Sequence, residues 1–290
     1  MAALLQFGQF HVHGVLVGLS VSVGHPKVRL ASYREWASPE GGLHSACAII
    51  NGDDWGASVH TTDRILDCVR IGSVSAVSGM VFMTDSERAA DIARTHGIDV
   101  GLHLNLTTAF SAAGLPRPLA AHQHAVALHL RRSRFSRYVY HPGLTRSFDY
   151  VVTSQFEEFL RLYGDRPQRV DGHHHMHLCA NVIMGRLLPR GLIIRRNFSF
   201  AHGEKNCANR SARRCYDSLL SRRYRMVDAL VALRPTRPFD RLACIFSRAC
   251  RESVEIETHP ANTDEYDFLT GNQVFQLVET QRAWEQIVST

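Results

Sequence analysis

The apolar run Ala46-Cys47-Ala48-Ile49-Ile50 stops at Asn51-Gly52-Asp53-Asp54, and a helical pattern with Ile65, Leu66 and Val69 on one side follows from Ser58. A short, wholly apolar run reads as a strand buried on both faces, the condition of a parallel sheet covered by helices. The unit then recurs. Val74 to Phe82 reads as a second strand, Thr84-x-x-Glu87 as a capping box opening a helix that Gly97 ends, and Ile98 to Leu106 as a third strand. This rhythm predicts an α/β fold with a parallel sheet and crossover helices. A single α/β barrel suits the 290 residues, and 45% hydrophobic residues supply its core. Further along, Phe148 to Tyr163 reads as an amphipathic helix, Arg169-Val170-Asp171 and Val254 to Glu257 as strands, and Gln273 to Val288 as a closing helix. Thr107 to Arg146 holds Pro116, Pro118, Pro142 and four histidines (His122, His124, His129, His141) and reads as a long lid or binding loop. Residues 1–44 lack periodicity and are expected to form a poorly ordered N-terminal extension, leaving 45–290 as one domain.

In parallel α/β sheets and barrels the C-terminal strand ends converge on the active site. Four polar clusters occupy such ends: Asp53-Asp54, His103, Asp171 to His177, and His259. The third places four of the seventeen histidines in seven residues, a density that packing does not explain. If extended, its spacing puts His173, His175 and His177 on one side. In Gly101-Leu102-His103-Leu104-Asn105-Leu106, His103 and Asn105 share a face. Asp53 and Asp54 point apart if the strand runs through both, so that one can meet a metal and the other a substrate. Two histidines and a carboxylate form a familiar ligand set for hydrolytic metals, with positions left open for water and substrate. Such a metal acidifies its water, and a second carboxylate can take the proton. The implied chemistry is hydrolysis of an amide or ester.

These motifs resemble a known family. Asn51-Gly52-Asp53-Asp54-Trp55-Gly56 is similar to the Asn-Ala-Asp-Asp-Phe-Gly signature of YdjC-type carbohydrate deacetylases, related to chitooligosaccharide deacetylases. Gly101 to Thr107, Val170 to His177, Glu257 to Ala261 and Glu265 to Thr270 resemble the family's later motifs in the family's order, covering about residues 45–275. The resemblance implies a distorted TIM-like β/α barrel, as in other polysaccharide deacetylases, and removal of N-acetyl groups from an amino sugar, oligosaccharide or glycolipid. It implies that Asp54, His103 and His173 ligate one divalent metal, Mg2+ or Zn2+. Asp53 would be the general base, and His259 an acid or oxyanion stabiliser. Asp171 would orient a histidine, and His175, His177 and Asn105 would line or buttress the pocket. Gly52 and Trp55 replace the family's Ala and Phe. Residues 1–44 match nothing in it, which suggests a start codon assigned too far upstream. The Arg-rich stretch 186–250 matches poorly, so the identity of the sugar stays open.

Composition narrows the other classes. No run reaches the roughly 18 to 20 apolar residues of a membrane span, and no Lys or Arg precedes the short apolar stretch Gly14 to Val23 as in a secretory signal. A cytoplasmic location is therefore expected. Seven cysteines without a Cys-x-x-Cys pair argue against a disulfide framework or zinc ribbon. The net charge of +6 is almost all arginine, Lys27 and Lys205 being the only lysines, and no aromatic-interleaved motif accompanies it, so nucleic acid is not an expected partner. A homodimer is allowed but not required. Two alternatives remain. A binuclear barrel phosphoesterase or amidohydrolase usually opens with His-x-His on its first strand, whereas this strand ends in Asp-Asp. A non-catalytic carbohydrate- or nucleic-acid-binding relative is disfavoured by the intact Asp53, Asp54, His103, His173 and His259.

Overall fold

A computed structural model of the chain describes residues 28–38, 46–200 and 205–278. Its strands are β1 (Cys47–Trp55), β2 (Ala76–Gly79), β3 (Val100–Leu104), β4 (Arg169–Gly172), β5 (Ile193–Ile194), β6 (Ala229–Ala232) and β7 (Ser253–Thr258). They form one parallel sheet in the order β5-β4-β3-β2-β1-β7-β6. The two edges approach each other at an isolated bridge between Ile193 and Arg225, so the sheet is curled. The expected TIM-like barrel is thus met in its coarse form, with seven strands among the described residues where a full (β/α)8 barrel has eight. The helices are α1 (Tyr33–Ala37), α2 (Val59–Arg70), α3 (Ser86–His96), α4 (Arg117–Arg132), α5 (Thr145–Tyr163), α6 (Ala180–Met184), α7 (Cys207–Leu220), α8 (Phe239–Ala249) and α9 (Thr263–Thr270). None of the described helices is long and apolar enough to cross a membrane.

Alternation along each strand sorts its side chains between two faces. Outward residues pack under the helices: Ala48, Ile50, Val77, Val254 and Ile256 in one cluster, Leu102, Leu104, Val170 and Ile194 in another. The inward residues form layers from bottom to top. An apolar floor of Cys47, Ile49, Ala76, Ile193 and Val227 comes first. Above it lie buried Asn51, Ser78, Arg169, Arg195 and Glu255, then Asp53, His103, Asp171 and Glu257 at the mouth.

The structure corrects several local expectations. Residues 28–38 belong to the folded body, contrary to a poorly ordered stretch 1–44. Leu30 bridges Ala48 beside β1, and the side chains of Tyr33 and Trp36 in α1 bury themselves in the apolar floor. Two aromatics three residues apart on one helical turn supply the apolar face that the composition of this segment concealed. The rest of 1–44 lies outside the described residues. The loop expected at 107–146 contains α4, where Leu119, Val126 and Leu130 recur at helical spacing behind an N-terminal Pro116-Arg117-Pro118. The capping box at Thr84 does not form. Asp85 is the N-cap residue of α3, and the Thr84 hydroxyl bonds the Ala57 carbonyl instead. Residues 273–278 of the expected closing helix are helical, and the remainder lies outside the described residues.

Candidate metal centre

Asp53 and Asp54 do not diverge as an unbroken strand would have them. The register of β1 against β2 shifts between Gly52 and Trp55, and Asp54 sits in the left-handed region at φ 68°. This bulge interrupts the alternation, so both carboxylates face the mouth of the sheet. Aspartate tolerates that conformation better than most residues, and such strain gathers at functional sites.

Asp54 is the meeting point of a triad. Its Oδ1 lies 2.9 Å from His173 Nδ1 and 3.3 Å from His103 Nε2, and one candidate ligand atom from each residue lies within 4.8 Å of the others. Asp171 Oδ1, 2.8 Å from His103 Nδ1, fixes that ring so that Nε2 faces Asp54. His103 Nε2 is buried without a well-formed hydrogen bond. Burial opposes charge on His103, yet the carboxylates of Asp53 and Asp171 hold its pKa well above the usual imidazole value. Burial likewise opposes ionisation of Asp54, but the adjoining imidazoles of His103 and His173 hold its carboxyl well below the usual carboxylate range. An open imidazole nitrogen, a second one and an anionic carboxylate, all in a field that favours positive charge, fit a divalent cation.

The histidine run is not extended. Residues 173–178 form a 3-10 turn in which His174 and His175 adopt left-handed φ values of 56° and 57°. The expected common face of His173, His175 and His177 is therefore lost, and each has a different role. His173 meets Asp54, and His174 Nδ1 bonds Thr107 Oγ1 at 3.0 Å. His175 Nε2 stands 3.4 Å from Glu257 Oε2. His177 is fully buried and donates from Nε2 to the Arg195 carbonyl at 2.9 Å. Asn105 stays outside the cluster. It is buried, accepts from the main-chain N–H groups of Thr107 and Thr108, and so holds the loop after β3.

Asp53 is 1% exposed and gripped by Arg195, whose Nη1 and Nη2 lie 2.6 and 2.7 Å from its two oxygens; Asn51 Nδ2 adds a bond of 2.7 Å. Arg195 also reaches Glu255 at 2.7 Å and Asp171 at 3.0 Å. His259, at the open rim, has its Nε2 3.9 Å from Asp53 and 3.8 Å from Glu257, and its main-chain N–H donates to Glu265. Burial works against the Glu257 carboxyl, but His175 and Arg195 bring it down to about 2.

Arg195, Glu257 and Arg169 were not among the residues singled out from the sequence. Arg195 follows Ile193-Ile194, a two-residue strand hidden among the arginines of 186–250; the apolar pair before it was the available signal. Glu255 and Glu257 alternate with Val254 and Ile256, a pattern normally read as charge facing solvent. Here the charged face lines the inside of the curl. Arg169 fits there because Gly101 opposite has no side chain; a Cβ at 101 would stand 2.6 Å from the guanidinium carbon.

The profile of the YdjC-like protein family matches residues 47–287. A carbohydrate deacetylase of Danio rerio is 30% identical over 142 residues, 46% of this chain and 43% of that protein. A chitooligosaccharide deacetylase of Serratia marcescens is 29% identical over 134 residues, 45% of this chain and 50% of that protein. The alignments thus span about half the length of these relatives. Among solved structures, an Enterococcus faecalis V583 protein provisionally described as a cellobiose-phosphate cleavage protein superposes with a TM-score of 0.56 at 20% identity, over 82% of this chain and 94% of that one. That likeness concerns the fold alone.

Proposed function

The chain belongs to the YdjC-like protein family, and on that footing we propose that it is a metal-dependent hydrolase removing N-acetyl groups from an acetylated amino sugar, oligosaccharide or glycolipid. The observation that carries the reading is the convergence of Asp54, His103 and His173 beside a separate, guanidinium-held carboxylate, Asp53. Asp54, His103 and His173 would hold one divalent cation, Mg2+ or Zn2+. Bound in such a donor set, a divalent cation acidifies water and polarises the acetyl carbonyl.

The chain's own residues do the rest. Asp53 accepts the proton of the attacking water at a carboxylate oxygen. Arg195 and Asn51 fix that carboxylate in place. Asp171 holds His103 by its Nδ1 and so turns Nε2 toward Asp54, with which it would hold the cation. His259, at the rim near both Asp53 and Glu257, protonates the departing amine nitrogen or stabilises the oxyanion. Glu257 balances charge on His259 and His175.

The test is release of acetate from a panel of acetylated amino sugars and glycolipids by metal-loaded protein. Chelation should stop it and added metal restore it. Asp53→Asn should retain metal but lose turnover by at least about 100-fold. No acetate from any member of the panel defeats the reading. One observation favours the binuclear phosphoesterase alternative: Asp53, Glu257 and His259 also offer ligand atoms within 4.8 Å of one another. Two metal ions per chain on titration would select it. The double grip of Arg195 on Asp53 speaks for one ion.

A further inference from the structure

The connection between β3 and β4 carries a surface that the metal centre does not use. From Val100 to Phe148 the chain has no Asp or Glu, yet Arg131, Arg132, Arg134 and Arg137 fall within seven residues. A 3-10 turn, Ser136–Tyr138, lies among these arginines, and around it Phe135, Tyr138 and Val139 are 58%, 70% and 59% exposed. Met184, at the end of α6, is 66% exposed, and α6 packs against that turn. One exposed apolar side chain is ordinary, but several large ones together mark a surface that meets something else.

The patch is held in place. The Tyr138 N–H donates to the Phe135 carbonyl at 2.9 Å, and the Ser136 N–H to the Ser133 carbonyl at 3.0 Å. Asn181 of α6 clamps the chain beyond it, accepting from the His141 N–H at 2.9 Å and donating to the His141 carbonyl at 3.0 Å. Topology fixes the location. β3 and β4 are parallel, so α5 must run back from the C-terminal strand ends to the start of β4. The residues just ahead of α5 therefore lie at the mouth end of the sheet. On the other side of the patch, α6 follows closely on the histidine turn that carries His173.

Charge and chemistry select the partner. Arg131, Arg132 and Arg134 are exposed, and none of the four arginines pairs with a carboxylate among the described residues. Their mutual repulsion is answered from outside, by a surface of negative potential. The Arg134 guanidinium carbon stands 4.8 Å from the centroid of the Phe135 ring, so charge and apolar surface are interleaved. A basic rim around outward aromatic and aliphatic side chains is the composition of an interfacial anchor. A nucleic acid would answer the charge but leave Val139 and Met184 in water, whereas the acyl boundary of a bilayer takes both.

We propose that this face seats the protein on an anionic lipid bilayer. Phe135, Tyr138, Val139 and Met184 enter the boundary between head groups and acyl chains, the arginines meet the lipid phosphates, and the mouth of the sheet opens beside the membrane surface. The experiment is co-sedimentation of the full chain with vesicles of phosphatidylcholine alone, and of phosphatidylcholine and phosphatidylglycerol in equal parts. Wild type should bind the mixed vesicles at least about tenfold more tightly than the neutral ones, since each arginine near the surface contributes about fivefold. That binding should weaken as salt rises. Phe135→Ser combined with Tyr138→Ser should weaken it by at least about tenfold, the contribution of one buried ring. Arg131→Gln combined with Arg132→Gln and Arg134→Gln should abolish the preference for the anionic lipid. Both variants should keep the wild-type melting temperature, because the altered side chains are exposed.

Wild type that stays in solution with mixed vesicles overturns the proposal, as does binding that survives loss of both aromatic rings. Binding that needs only the arginines, and that single-stranded DNA matches in strength, assigns the patch to nucleic acid and overturns it too. Sedimentation reads no turnover, so its result stands whether or not acetate is released.

Discussion

At the scale of single residues, the centre depends on buried charge being answered by buried charge. Arg195 is the cation for Asp53, Asp171 and Glu255 together. Replacing it with Met should cost about 3 to 5 kcal/mol, because carboxylates are left uncompensated in the interior; urea denaturation measures this, and a loss within error of zero would contradict the charge pairing. His177 is the opposite case, a histidine kept neutral. Burial pushes its pKa down to about 3, only partly offset by its bond to the Arg195 carbonyl. Unfolded histidine titrates near 6.5, so the unfolded chain binds the proton first. The resulting stability is complete above about pH 6.5 and declines as the pH falls toward 3. His177→Gln should therefore be less stable at pH 8 but show a shallower loss between pH 8 and pH 5. Parallel slopes for the two proteins would reject this assignment.

At the scale of elements, helix ends and strand ends were legible where the signal is local. Ser58 caps α2 by accepting from the Thr61 N–H, and Gly97 ends α3 in the left-handed conformation. The bulge at the end of β1 was not legible, because its cause is the turn that follows. Gly56 has φ 87°, and a Cβ there would lie 3.1 Å from the Met80 carbonyl oxygen and 3.3 Å from Ser86 Cα. Gly56→Ala should destabilise the fold by about 1 to 3 kcal/mol. It should also weaken metal binding, since the same turn aims Asp54; calorimetric titration with Mg2+ or Zn2+ that gives wild-type affinity would separate the turn from the site. The histidine run failed in the same way. Its period-2 spacing would put His173, His175 and His177 on one side only if the run were extended, but two left-handed residues fold it into a 3-10 turn, and His175 and His177 leave for different partners.

At the scale of the whole molecule, the sheet carries charge on its concave face and places its apolar mass under the helices and on the floor. A bound cation would complete that charge balance. Chelation should remove about 2.7 kcal/mol of stability from protein held at a metal concentration 100 times Kd, and so lower its melting temperature. Asp54→Asn should melt alike with and without metal, and a wild type indifferent to chelation would count against the site. The Arg-rich region, whose role the sequence left open, serves partly as internal ties: Arg196 holds Asp217, Arg225 bonds the Ala37 carbonyl, and Arg241 bonds the carbonyls of Ala232 and Leu233. The sequence by itself determined the α/β class and the strand ends that carry chemistry. It also marked Asp53, Asp54, His103, His173 and His259 as one candidate set. Each of those rests on a local transition from an apolar run to a polar cluster, or on a motif of adjacent residues. Only the tertiary structure decided that Asp53 and Asp54 converge, that Arg195 holds Asp53, and that Tyr33 lies under the ionic layer. These depend on which strands face each other across the curl and on which face of each strand turns inward, and alternation alone does not say which face that is.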